Sequence, residues 1–237
     1  MGKMKITFKS ITENHYDIAE KPYPAVAAIP EWFKNIKPST SSEHRNNEPK
    51  GQLATVKKCF PILDSLTSGY IIPAPVDLLV RYVGNDDIPT ITWNSFNINW
   101  VETWQLDQSA GFEIPDGFNK QIFKLINPWL VQTPKNWSCL FTHPIGYSNL
   151  PFRAITGIVD TDKLKTDINQ PFVLKKRWEG IIEAGTPIVQ IIPFERKDWE
   201  MNCERGIEKD HRLNQELLMK KISGSYGKLF HTKKRYK

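Results

Sequence analysis

Apolar and polar residues alternate at every step through Lys5-Ile6-Thr7-Phe8-Lys9, which predicts an opening strand with one buried face. A proline-punctuated stretch, Lys21-Pro22-Tyr23-Pro24, follows it. Pro30 then precedes Glu31-Trp32-Phe33-Lys34-Asn35-Ile36, where a proline suits the start of a helix. Trp32, Phe33 and Ile36 share one face of that short helix, and Pro38 ends it. Ser39 to Gly51 is polar throughout and reads as a loop.

From Cys59 to Phe194 the pattern becomes short β runs broken by Pro, Gly and Asn. Gly69 to Ile72, Val76 to Val83, Thr90 to Trp93, Ile122 to Ile126 and Trp129 to Val131 are the first of these. Trp137 to Thr142, Phe172 to Lys175 and Ile188 to Ile192 complete the set. Many short strands with β-branched and aromatic residues, and no long helical pattern between them, predict antiparallel sheets rather than a doubly wound parallel sheet. A helix is predicted over about Glu204 to Ser223. Ile207, His211, Leu218 and Ile222 fall on one of its faces, with Leu217 alongside. Glu208→Arg212 and Glu216→Lys220 make favourable pairs one turn apart on another face, and Gly224 stops it. The expected fold is therefore mainly β (α+β): an antiparallel β-sandwich body with a short N-terminal helix, then a C-terminal helix and tail. Residues 1–200 form a single β-rich domain in this reading, and residues 201–237 are an appendage.

Composition narrows the class. The chain has 237 residues, 40% of them apolar and 24% charged, which excludes a disordered or collagenous polymer. A chain of this length buries roughly 70–75% of its unfolded surface and needs no staple. No apolar run approaches the roughly 18 residues of a membrane span, and no secretory leader pattern opens the sequence. Cys59, Cys139 and Cys203 are far apart and lack partners at metal-ligand spacing, so they read as buried thiols in a reducing compartment. No cofactor, metal or membrane is expected, and the host cytoplasm or a virion is the expected location.

The formal net charge of +6 is unevenly spread. Lys220 to Lys237 holds seven basic residues and no acidic one, leaving 25 basic against 26 acidic elsewhere. A near-neutral body with a basic tail points to phosphate contact or a solvated tail. Leu229, Phe230 and Tyr236 interrupt the charges and also suit docking against a neighbouring subunit. Elsewhere, Trp93, Phe96, Trp100 and Trp104 cluster without a cation, which favours packing over base stacking. His143 before Pro144 reads as a hydrogen-bonded strand-end histidine.

Catalytic patterns are scarce. Neither a Gly-x-Ser-x-Gly elbow nor a phosphate-cradling glycine loop occurs, and the five histidines are scattered. The richest stretch is Gly157-Ile158-Val159-Asp160-Thr161-Asp162, followed by Gly180 to Ile192 with Thr186-Pro187-Ile188-Val189-Gln190. These segments resemble the dUTPase and dCTP-deaminase superfamily. That resemblance implies a β-clip-like fold, Asp160 near the sugar and catalytic water, and Gln190 in the phosphate site. The superfamily's phosphate-gripping segment and glycine-rich arm have no counterpart here; the nearest stretch to the former is Gly146 to Arg153. From the residues alone, Asp160 and Asp162 equally suit a turn that ends a strand.

Phe60 to Tyr70, Phe141-Thr142-His143-Pro144 and the same Gly157 region also resemble a family of tailed-phage proteins. That likeness implies no reaction, but it implies a virion component or a small protein acting on nucleotides or host proteins. The leading expectation is a non-enzymatic, virion-associated or assembly protein, homo-oligomeric or part of a larger assembly. Its basic tail, through Lys228, Lys233, Lys234, Arg235 and Lys237, would contact nucleic acid or a neighbouring subunit. A nucleotide-binding or nucleotide-hydrolysing dUTPase-like protein, and an inhibitor of a host protein, are the alternatives.

Overall fold

The structure is a computed structural model that describes residues 4–41, 52–84, 87–94, 97–206, 208–219 and 225–237. Its strands are β1 (Thr7–Ser10), β2 (Tyr23–Pro24), β3 (Ser39–Ser41), β4 (Gln52–Ala54), β5 (Tyr70–Pro73) and β6 (Leu78–Arg81). Then come β7 (Thr90–Thr92), β8 (Val101–Thr103), β9 (Phe118–Leu125), β10 (Trp129–Gln132) and β11 (Trp137–Thr142). The last are β12 (Phe152–Ala154), β13 (Gly157–Val159), β14 (Gln170–Lys175), β15 (Gly180–Ile182) and β16 (Pro187–Glu195). The helices are α1 (Glu13–Ile18), α2 (Glu31–Asn35), α3 (Phe60–Thr67), α4 (Glu208–Met219) and α5 (Ser225–Leu229).

Mostly antiparallel β structure with a few short helices is what the residue pattern predicts. One sheet runs β13-β11-β16-β5-β2 and a second β12-β14-β9-β8. A third, β15-β6-β7, adds Leu78, Val80 and Ile182 to the same core, while β1 pairs with β10 and β3 with β4. The spine of the first sheet is β11 against β16, registered from Trp137 opposite Glu195 to Thr142 opposite Gln190. Cys139 and Phe141 on β11 face the same side, and with Val189 and Ile191 of β16 they meet Phe123, Leu125, Phe172 and Leu174 of the second sheet in one core. The Phe123 and Phe172 rings stack at 5.7 Å, and Phe152 meets Phe172 edge-on at 6.1 Å. Trp100 is fully enclosed and Trp93 packs against the core; Phe96 lies outside the described residues.

Four features depart from the sequence reading. Phe60–Thr67 is helical, inside the region read as β runs. Pro61 sits in its first turn, a position that lacks a helical partner anyway, and Leu66 is buried. Glu13–Ile18 is also helical, begun by Thr12, whose hydroxyl accepts from the His15 amide at 3.2 Å. Ser39–Ser41, expected to lie in a loop, pairs with β4. Of the cysteines only Cys139 is buried; Cys59 is half-buried and Cys203 exposed, because Cys203 follows β16 on a segment that the body does not cover. No helix of the described residues is long and apolar enough to cross a membrane.

The C-terminal helix is described over Glu208–Met219; residues 204–206, expected inside it, are not helical, and Ile207, Lys220 and Ile222 lie outside the described residues. Within it, Arg212 Nη2 pairs with Glu208 Oε1 at 2.5 Å, and His211 is exposed.

Candidate functional site

Residues 225–237 return to the body and are tied to α3. Phe60 and Asp64 stand one turn apart on that helix and so share a face. Gly227 lies against the Phe60 ring so closely that a Cβ there would fall 2.4 Å from Phe60 Cε2. The His231 ring covers Phe60 at 4.5 Å, and its Nε2 lies 3.1 Å from Asp64 Oδ1. Lys234 Nζ donates to Asp64 Oδ2 at 2.5 Å. Burial pushes the Asp64 carboxyl up, but hydrogen bonds from Lys234 and His231, reinforced by their charge, bring it below the ordinary 3.8. The hydrogen bond to Asp64 in turn raises the Lys234 ammonium.

This anchoring lays the last four residues across the open end of the sandwich. Tyr236 meets Tyr70 edge-on at 5.9 Å, Tyr70 meets Phe8 at 5.4 Å, and the Tyr70 hydroxyl donates to the Lys237 carbonyl at 3.4 Å. A groove of about 610 Å³ results, lined by Lys5 and Ile6 from the N-terminal segment and by Lys234, Arg235, Tyr236 and Lys237 from the tail. Tyr70, Thr133, Pro134, Trp137 and Pro193 of the body also line it. Trp137 is available because it closes the exposed end of β11, on the same side of the strand as Cys139 and Phe141 but beyond the core. No acidic side chain is among the described residues that line the groove. Lys234 is engaged by Asp64; among the described residues Lys5, Arg235 and Lys237 form no ion pair. Three uncommitted cations beside three aromatic rings can neutralise an anionic chain while its planar groups stack.

The tail residues named from sequence divide. Lys234, Arg235 and Lys237 line the groove, whereas Lys228 and Lys233 are exposed away from it. Tyr236 docks on the chain's own Tyr70, while Leu229 and Phe230 stay about half exposed. Lys5, Tyr70 and Trp137 carried no sequence signal, because only the fold brings positions near 5, 70, 137 and 235 together.

Asp160 and Gln190 lie elsewhere and apart. Ser138 Oγ donates to Asp160 Oδ1 at 2.7 Å, and Arg196 Nη1 lies 3.1 Å from the same oxygen. Arg196 also grips Asp162 with both nitrogens, at 2.8 and 2.6 Å, and the Asn136 amide donates to Asp162 at 2.8 Å. The Ser138 bond lowers the Asp160 carboxyl, and the Arg196 fork takes Asp162 down to about 2. Gln190 is 1% exposed. Its amide donates to the carbonyls of Ser65 and Ser68, at 3.0 and 2.7 Å, and accepts from the Ile145 amide at 2.9 Å. Asp160 is bonded to Ser138 at one end of β11, and Gln190 pairs with Thr142 at the other, about 13 Å along the strand.

A second cavity, of about 750 Å³, is lined by His143, Tyr147, Arg153, Lys175 and Trp32 among others. His143 Nδ1 accepts from the Ala154 amide at 3.3 Å, so its Nε2 carries the proton and donates to the Tyr147 carbonyl at 2.7 Å. Burial lowers this imidazole, and both its nitrogens are spent on backbone. Among the described residues no three His, Cys, Asp or Glu side chains gather as a metal-binding group.

No family model and no curated protein matches the chain. Among solved structures, a mutant dUTPase from phage phi11 of S. aureus resembles it weakly. The match covers 46% of this chain and 99% of that one, at 12% identity and a TM-score of 0.29.

Proposed function

We propose that the chain is a binding protein that holds single-stranded nucleic acid in the groove between its C-terminal tail and the open end of the sandwich. One observation carries this reading: Lys5, Arg235 and Lys237 converge, without ion-pair partners among the described residues, on Tyr70, Trp137 and Tyr236. Cations track the phosphates, and any base stacks on an aromatic ring, so the expected binding is sequence-tolerant and salt-dependent. A duplex hides its base faces and would use only the cations. A virion-associated or assembly role, in which the protein touches a genome through this groove, is the form that the tailed-phage resemblance implies.

Fluorescence anisotropy with a labelled oligothymidine of about 12 nucleotides tests it. The logarithm of affinity should fall with log salt with a slope of about −2, as three phosphate contacts on a single strand require. Trp137→Ala should weaken binding about 5- to 100-fold. Absence of binding at low salt, or a Trp137→Ala variant that binds as well as wild type, overturns the reading.

A further inference from the structure

Beyond β16 the chain runs from residue 197 to 206 without secondary structure, and every side chain in that arm is exposed. Trp199 is 90% and Met201 89% exposed, although both are residue types that anchor interfaces. Across residues 197–206 the arm holds three acids (Asp198, Glu200, Glu204) against two bases, Arg205 and Lys197, and Lys197 is paired with Glu195. Among the described residues Asp198 and Glu200 form no ion pair. An acidic segment with two apolar anchors is the complement of a basic groove lined by aromatic rings, and this chain carries both.

None of residues 197–206 is among the residues that line the groove of their own chain. Arg196 fixes its root to Ser138, Asp160 and Asp162. Ser138 and Trp137 are successive residues of β11, so their side chains lie on opposite faces of the sheet. The Arg196 side chain therefore lies on the face away from Trp137, while Lys197 pairs with Glu195, which stands opposite Trp137. The root of the arm and the groove thus lie at the same end of the sandwich. A two-fold axis beside that end lets two copies exchange arms, each filling the other's groove, and the assembly closes at two.

We infer that the arm of one copy seats Trp199 and Met201 in the basic aromatic groove of a second copy. The second copy returns the contact, and the closed dimer withholds the groove from nucleic acid. This rests on the groove as read under the proposed function, and it supplies that site with its regulator: strand binding and dimerisation exclude one another.

A photoreactive crosslinker on Cys203, in the full chain carrying Cys59→Ser, tests the contact, together with sedimentation velocity over a concentration series. The expected product has twice the chain mass and joins residue 203 to groove peptides around Trp137 or Tyr236. Excess oligothymidine should suppress it, and so should Trp199→Ala with Met201→Ala, which remove side chains the body does not cover. Asp198→Lys with Glu200→Lys should also return the protein to monomer. Where about three-quarters of the wild type is dimeric, the Trp199→Ala, Met201→Ala protein should bind oligothymidine about fourfold more tightly. A monomer at all concentrations, a crosslink within one chain, or one to any other surface overturns the inference. Binding of oligothymidine by that double variant is scored separately: its failure sinks the nucleic-acid reading, and the crosslink map still decides the dimer.

Discussion

Asp64 and Lys234 stand 170 positions apart in the chain, yet Lys234 Nζ lies 2.5 Å from Asp64 Oδ2. That contact, with His231 on the other carboxylate oxygen, holds the basic tail against α3, and the last four residues line the groove.

Asp64→Asn should therefore free the tail without unfolding the body. Amide hydrogen exchange over residues 225–237 is expected to quicken about tenfold, with the melting temperature of the body moved by no more than about 2 °C. The native Asp64 carboxyl is held below its ordinary value, so its contribution is present above about pH 4 and is lost as pH falls through the lowered value. Wild-type tail exchange should rise on acidification in that window, and the Asn variant should show no such step.

Groove cations and other tail cations should behave differently. Replacing Lys5, Arg235 and Lys237 by Ala should flatten the salt dependence of oligothymidine binding by about 2 in the log–log slope. Replacing Lys228 and Lys233, which lie outside the groove, should leave the slope unchanged. Equal losses from both sets would mean that the tail acts as a charged strand and the groove is irrelevant.

Gln190 is a clamp between α3, β16 and the turn at Ile145. Gln190→Leu leaves the half-buried Ser65 and Ser68 carbonyls and Ile145 amide without this partner, and each one that water does not reach costs about 1–3 kcal/mol. A loss of about 3 kcal/mol or more in urea unfolding is expected.

Gly69 has φ +74°, and a Cβ there would fall 1.9 Å from the Ile191 carbonyl oxygen. Gly69→Ala forces both a left-handed alanine and a backbone shift between β5 and β16. The expected cost is about 3 kcal/mol or more, read from the denaturant midpoint.

The Arg196 fork should be visible in acid. Asp162 is depressed to about 2, so its contribution is present above the ordinary 3.8 and disappears as pH falls towards 2. Asp162→Asn should remove that acid-sensitive step from the pH–stability curve between those values and lower stability at neutral pH.

How much was legible differs from element to element. β11 and β16 could be read because their alternating or continuous apolar runs are local properties of a strand with a buried face. α3 could not: eight residues with a proline second in the run look like any broken apolar stretch, and only the proline's tolerance in a first helical turn hinted at it. The cluster at Asp160 was found in sequence, but its meaning depends on Arg196 and Ser138, which no spacing rule connects to it.

Period and composition by themselves determined that this chain is built of short antiparallel strands and that its positive charge is concentrated at one end, since both follow from neighbours in sequence. Where that charge sits was decided by the tertiary structure. A salt bridge over 170 positions, a glycine flush against Phe60 and a tryptophan at the uncovered end of a strand are long-range coincidences. They form only when folding has already offset the entropy of closing the loops between them.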